Sequence, residues 1–249
     1  DGVKSGHLDL RGDMTLKELS SSASANNSIM VANGKTLAVK PAANLTLNAT
    51  VSGTLSLDVG DNQTATLKKP VWNVVFKGNS LGAPILKLDQ GVDVGSINFK
   101  SDDPGDPFAL ILEGNNTIGT LKFAKTTRPF DVDSEGASRN QINRLEPGGE
   151  ATLALRGNNP LHIFDGTQDV KWNAEVSAGS SLEVQSAGLF SGEVTATLKG
   201  GSLRLPCGDY PKLTLKTDTA DSTIEVNAAE KEPVLSVKDI TLNNGDLKM

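Results

Sequence analysis

The sequence predicts an all-β protein built as a parallel β-solenoid of about seven or eight coils, and three observations favour this fold. A short phrase in which Thr or Ser alternates with Leu or Val returns roughly every ten residues along the chain. Gly, Asn or Asp follows most copies and supplies the turns. Hydrophobic residues make up 37% and aromatic residues only 4% of the 249 residues, which suits a thin core better than a thick two-layer one.

The copies of this phrase predict the individual strands. Apolar and polar residues alternate with period 2 in each copy, as in a strand with one buried face. Strands this short cannot each bury an apolar face, so neighbouring strands must stack, three to a coil. Asn-Gly and Gly-Asn pairs between copies tolerate positive φ and favour tight turns. The copies include Thr36–Val39, Leu45–Asn48, Thr54–Asp58, Thr152–Leu155 and Leu213–Leu215.

The organisation along the chain predicts one elongated solenoid over residues 1–249. The chain opens on Asp1 without a Met and stops after a strand-like phrase, so we interpret it as a fragment of a longer protein. The ends of a stacked solenoid expose strand edges, which predicts self-association through those edges. The longest apolar run is only a handful of residues, so we expect no transmembrane segment in this piece.

One stretch, residues 125–150, breaks the rhythm and is interpreted as a longer inserted loop. Within it, the spacing of Ile142 and Leu145 predicts one or two helical turns over Ser138–Glu146. A shorter segment at 101–107, rich in Asp and Pro, predicts a solvated turn. Long loops on repetitive scaffolds carry function more often than the scaffold itself, so 125–150 is where we first expect a local site.

Two short patterns supply candidate binding residues, and the first is Arg11-Gly12-Asp13. Arg-Gly-Asp is the tripeptide that integrins recognise on adhesive proteins. A chain rich in Gly and Asp also produces it by chance. Recognition requires an exposed, tight loop, and an ordinary turn before the next strand is the competing interpretation.

The second pattern is the alternation of Asp131, Asp133 and Glu135, followed by Gly136. It resembles the front half of a calcium-binding loop, in which alternating carboxylates surround a hard cation. The twelfth position of such a loop needs a bidentate Glu, and this chain has Ile142 there. Calcium is therefore a secondary expectation, at these three carboxylates or at a second acidic cluster formed by Asp102, Asp103 and Asp106, and we expect no other metal or cofactor.

Composition argues against several classes of function. The net charge is −6 with both signs interspersed, so a basic stripe for a phosphate backbone is missing and we expect no nucleic-acid partner. The single cysteine, Cys207, cannot form an internal disulfide. The two histidines are His7 and His162, and alternation with Leu161 and Ile163 places His162 on the outside of the wall. Neither lies in a catalytic motif, so we expect no catalytic residues.

The Leu-rich strands, the Thr-Leu-x-Val phrase and the closing phrase Ile240–Gly245 resemble the passenger regions of bacterial autotransporters and related surface adhesins. Those families form right-handed parallel β-helices, are poor in cysteine and end their coils in similar Asn-Gly turns. The resemblance covers most of the chain but is one of style, and no motif in it is specific enough to carry over individual functional residues. It implies a right-handed parallel β-helix.

The same resemblance implies a secreted or cell-surface protein with a role in adhesion and virulence. Such a module would act without catalysis as a stalk or adhesive surface, with a host-cell surface protein or a glycan as its partner. Phage tail spikes and polysaccharide-degrading β-helices share the style, so a polysaccharide hydrolase or lyase using carboxylates near 101–136 is the alternative. The catalytic Asp pairs and Lys/Arg constellations of those enzymes have no match here, and aromatic residues that stack on sugars are few. A spacer without a ligand is a third possibility.

Overall fold

The protein is an all-β parallel β-solenoid of about 10 turns, 2% helical, which confirms the predicted fold. The computed structural model describes residues 6–19, 26–78, 82–101, 108–166, 169–227, 235–243 and 245–248. A single 3₁₀ helix, Ala187–Phe190, accompanies the strands of these residues. The strands are β1 His7–Leu10, β2 Met14–Leu16, β3 Asn27–Val31, β4 Thr36–Val39, β5 Leu45–Leu47, β6 Ala49–Val59, β7 Thr64–Leu67, β8 Val71–Gly78, β9 Ile85–Leu88, β10 Asp93–Ser101, β11 Ala109–Leu112, β12 Thr117–Phe123, β13 Phe130–Ser134, β14 Asn140–Pro147, β15 Ala151–Arg156, β16 Leu161–Gly166, β17 Trp172–Ser177, β18 Ser181–Val184, β19 Val194–Lys199, β20 Ser202–Pro206, β21 Gly208–Thr217, β22 Ser222–Asn227, β23 Leu235–Leu242 and β24 Gly245–Lys248.

The strands form two parallel sheets that run along the solenoid. The 14-stranded sheet follows the order β1-β3-β6 and then every second strand to β24, with β2 and β4 attached beside β6. The 10-stranded sheet takes the alternate strands from β5 to β23. Neighbours in each sheet therefore belong to successive coils. At a ladder spacing of about 4.8 Å, the main path of the larger sheet is roughly 50 Å long.

The coils from β6 to β16 have three walls, because the strands of the larger sheet pass through a corner there. The later strands β18 and β20 end at or before this corner. In β6, Ala49–Ser52 pairs with β3 and Thr54–Leu57 pairs with β4. At the equivalent point of β12, the consecutive residues Gly119 and Thr120 are both unburied, so the inside–outside alternation breaks there. We call the wall before this corner wall 1, the wall after it wall 2, and the 10-stranded sheet wall 3.

The coils are shorter than three separate strands would require. Hydrogen bonds between neighbouring coils join residues 21, 23 or 24 positions apart. Three separate strands with their own turns would need about 30 residues per coil. The predicted number of coils was too low for this reason.

One hydrophobic core cluster extends from Leu10 to Ile224. Phe76, Phe99 and Phe123 occupy the same position in three successive coils, and the ring centroids of Phe76 and Phe99 are 5.2 Å apart. The core gives every coil the same rigid support for its outward side chains. No helix in the described part of the chain is long and apolar enough to span a membrane.

Residues 125–150 are not an inserted loop, so that prediction is wrong. They contain β13 and β14, and each of these strands pairs with a neighbour on both sides. The predicted helical turns over Ser138–Glu146 are wrong as well. Ile142 and Leu145 are both fully buried, while the two residues between them lie at the corner and face solvent. The corner therefore separates two inward side chains by three positions, which imitates helical spacing.

Candidate functional site

Arg11, Gly12 and Asp13 form the turn between β1 and β2. The turn is accessible, since the side chains of Arg11 and Asp13 are 88% and 68% exposed. Oδ1 of Asp13 accepts a hydrogen bond of 2.8 Å from the backbone N–H of Thr36 in the next coil. The scaffold therefore uses the carboxylate of this tripeptide to join two coils.

Asp131 and Asp133 lie on the outer face of β13, in wall 3. Both side chains are half-buried, and their Oδ1 atoms are buried without a hydrogen-bond partner. Nη2 of Arg156, in the next coil, lies 3.2 Å from Oδ1 of Asp131 and forms an ion pair with it. Burial raises the pKa of Asp131, repulsion from Asp133 and Glu175 raises it further, and Arg156 offsets only part of this effect.

Glu135 lies at the corner that follows β13, and its backbone carbonyl has a structural role there. Its carbonyl oxygen accepts hydrogen bonds of 3.1 Å from the side-chain amides of Asn140 and Asn159. Asn140 is fully buried, and its Oδ1 accepts a further bond of 3.2 Å from the N–H of Asn116. This network satisfies polar backbone groups at the turn between wall 3 and wall 1.

The three predicted carboxylates are not gathered into one cluster. Among the described residues, no three His, Cys, Asp or Glu side chains come together in a way that could hold a metal ion. Asp131 and Asp133 share a strand face, whereas Glu135 lies beyond the end of that strand. Residues 102–107, which contain the other acidic cluster, lie outside the described residues.

A row of charged side chains crosses wall 1 in the second half of the solenoid. His162, Glu183, Arg204 and Glu225 occupy the same position in four successive coils, and we call them the charged row. Oε2 of Glu183 lies 3.2 Å from Nδ1 of His162, and its Oε1 accepts a hydrogen bond of 3.0 Å from Nη1 of Arg204. Arg204 also donates to Oε2 of Glu225 from Nε at 3.1 Å and from Nη2 at 2.8 Å. Each member is therefore held by its neighbours.

The packing of the charged row sets the charge of its histidine. The side chains of His162 and Glu183 are each only 13% exposed. Burial lowers the pKa of His162, and the positive charges of Arg139 and Arg204 lower it further, against the attraction of Glu183. The lowered pKa favours the neutral imidazole at pH 7.

Similarity to known proteins does not identify this chain. Protein-family models, curated proteins and solved structures give no significant match to it. Function must therefore be argued from the geometry of its walls.

Sequence reasoning predicted the outward position of His162, which the structure confirms, but it missed the charged row. The sequence does contain a signal for this row, because Glu183, Arg204 and Glu225 follow one another at intervals of 21 residues. Recognising it required the length of the coil, which the irregular turns conceal.

Proposed function

We propose that this chain is a non-enzymatic binding and structural module of a bacterial surface or secreted protein, and that it acts in cell adhesion. The parallel β-solenoid supports this role, as does the resemblance of the sequence to the passenger regions of autotransporters and related adhesins. A host-cell surface protein or glycan is the kind of partner that the role requires. Binding would extend along a wall and sum many weak polar contacts.

The charged row on wall 1 is the observation that carries this proposal. Its side chains are fixed by contacts with one another and by the core beneath them, so a partner that binds there costs little side-chain entropy. Three of its members, Glu183, Arg204 and Glu225, carry charges of alternating sign at the ladder spacing of about 4.8 Å. Such a pattern favours a partner with complementary charges in an extended arrangement.

Binding of the purified chain to cultured host cells and to immobilised extracellular-matrix proteins tests the proposal. The double variant Glu183→Gln/Arg204→Gln removes two opposite charges and keeps a polar side chain at both positions. We expect it to weaken binding about tenfold, the size of effect seen when central interface residues are changed. Circular dichroism and thermal unfolding check that the variant is folded.

The matched control is Lys199→Gln/Glu175→Gln on wall 3, where the same kind of ion pair joins two coils at 2.8 Å. Unchanged binding in this control assigns the effect to wall 1. Absence of any binding by the wild-type chain, or equal losses in both double variants, contradicts the proposal. Polysaccharide cleavage that disappears in Asp131→Ala contradicts its non-enzymatic part.

A further inference from the structure

Trp72 has the greatest exposure of any large hydrophobic side chain in the described part of the chain, at 63%. It lies in β8, at the corner between wall 1 and wall 2. The only other tryptophan, Trp172, is 1% exposed and belongs to the core. A large aromatic surface left in water on a rigid scaffold is typical of a recognition site.

The positions that follow Trp72 along this corner are Gly95, Gly119, Asn143 and Phe164, one in each of the next four coils. We call these five residues the corner row. A Cβ atom at Gly95 would lie 2.4 Å from the carbonyl oxygen of Trp72, and one at Gly119 would lie 2.3 Å from that of Gly95. A side chain at either position would have to displace the backbone of the preceding coil, and the two glycines leave bare backbone beside Trp72 for two coils.

Polar side chains border the bare backbone on both walls. Asn73, Ser96 and Thr120 are aligned on wall 2, and Oγ of Ser96 donates a hydrogen bond of 2.8 Å to Oδ1 of Asn73. Five of the six bordering side chains are uncharged hydroxyls or amides, which both donate and accept hydrogen bonds. The aligned side chains on wall 1 are Asp93, Thr117 and Gln141.

The far end of the corner row carries a second aromatic ring. Phe164 is half-buried, and the guanidinium of Arg139 lies 5.2 Å from the centre of its ring. Four coil spacings separate it from Trp72, roughly 19 Å along the solenoid. The row therefore has an exposed aromatic platform at one end, two positions of bare backbone with polar side chains beside them, and a length that fits a chain of several sugar units.

We infer that the corner row binds a neutral oligosaccharide, with the apolar face of one pyranose ring stacked on Trp72. The following sugars lie over Gly95 and Gly119 and exchange hydrogen bonds with the bordering hydroxyl and amide groups. An apolar peptide would need apolar borders and an anionic ligand would need cations, whereas the side chains beside Gly95 and Gly119 are polar and include no cation. Charged side chains border only the far end of the row, where Arg144 and Asp165 pair with each other on wall 2. The inference rests on the proposed adhesive function and names one ligand class for it.

Tryptophan fluorescence tests the inference, with hexasaccharides of β-1,4-linked glucose and of β-1,4-linked N-acetylglucosamine as probes. Because Trp172 is buried, we expect a saturable change in emission that comes from Trp72. Trp72→Ala should abolish this change and weaken binding at least about tenfold by calorimetry, while Trp72→Phe should retain part of the affinity. Leu242→Ala is the control, since Leu242 is 43% exposed and lies in β23, on wall 3 and away from the corner row.

Two outcomes overturn the inference: neither hexasaccharide changes the emission of the folded protein, or Trp72→Ala binds as tightly as the wild type. Host-cell binding measured on the same samples separates this failure from that of the proposed function. Retained cell binding without saccharide binding overturns only the saccharide site. Saccharide binding that depends on Trp72, without any cell binding, supports the site and contradicts the adhesive role.

Discussion

Ionisation of Asp131 opposes folding. Burial is the main reason that its pKa is raised, and the neighbouring carboxylates add to it. The folded chain therefore holds this proton more tightly than the unfolded chain does. The stability linked to the protonated form is fully present below the ordinary pKa of 3.8 and is lost as the pH rises through the raised value.

Asp131→Asn should accordingly raise the unfolding temperature at pH 7, by about 1 °C for a half-exposed group, and the gain should vanish below about pH 3.5. Thermal unfolding across this pH range measures the effect. Carboxyl NMR titration should show Asp131 above 3.8 in the wild type and higher still in Arg156→Ala, which removes the offsetting cation. A titration at or below 3.8 would show that Arg156 outweighs burial.

At the scale of the strands, the corner of the larger sheet depends on glycine at the same position in two successive coils, Gly95 and Gly119. The backbone of Gly95 approaches the carbonyl of Trp72 so closely that a methyl group would lie 2.4 Å from it. The obstacle is the backbone of a paired strand, which cannot move without disturbing the ladder on both walls. The glycine therefore serves close packing of coils rather than an unusual φ.

Gly95→Ala should destabilise the chain by about 1–3 kcal/mol, the usual cost of overpacking. Gly149→Ala is the matched control, because a Cβ there meets nothing within 4 Å and its φ is ordinary. Its stability should stay within about 0.5 kcal/mol of the wild type or rise slightly, since alanine restricts the unfolded chain. Chemical denaturation compares the two variants, and equal stabilities would show that the corner can relax.

Elements with simple alternation were predictable from the sequence, while the corners were not. The phrase Thr36–Val39 coincides with β4, because each of its residues either faces the core or faces out. In β14 the same reasoning failed, since Ile142 and Leu145 straddle a corner and acquire helical spacing. A period-2 pattern is local, whereas a bend inside a paired strand depends on the coils above and below it.

Prediction of the candidate site from the sequence was limited in the same way. Asp131 and Asp133 are neighbours on one strand face, as period 2 predicts, but Glu135 continues the pattern only in sequence, because the strand ends at Ser134. The charged row brings together residues 21 positions apart, so adjacency along the chain gives no indication of it.

For the whole molecule, exposed apolar side chains mark both ends of the solenoid. Leu8 and Met14 lie in the first described coil and are 37% and 39% exposed. Ile240 and Leu242 lie in β23 and are 38% and 43% exposed. The terminal strands of both sheets, β1 and β24 in one and β5 and β23 in the other, have one strand neighbour each among the described residues.

We therefore expect copies of this chain to associate end to end in solution. The two ends are different surfaces and all strands are parallel, so stacking is head to tail and produces oligomers of increasing length rather than a closed dimer. Sedimentation velocity should show a sedimentation coefficient that rises with concentration. Leu8→Glu and Ile240→Glu should each prevent the rise, because one charged end suffices to block a head-to-tail contact, whereas Met30→Glu on the side of the solenoid should not. A wild-type chain that stays monomeric at every concentration would contradict the expectation, as would oligomers that persist in both end variants.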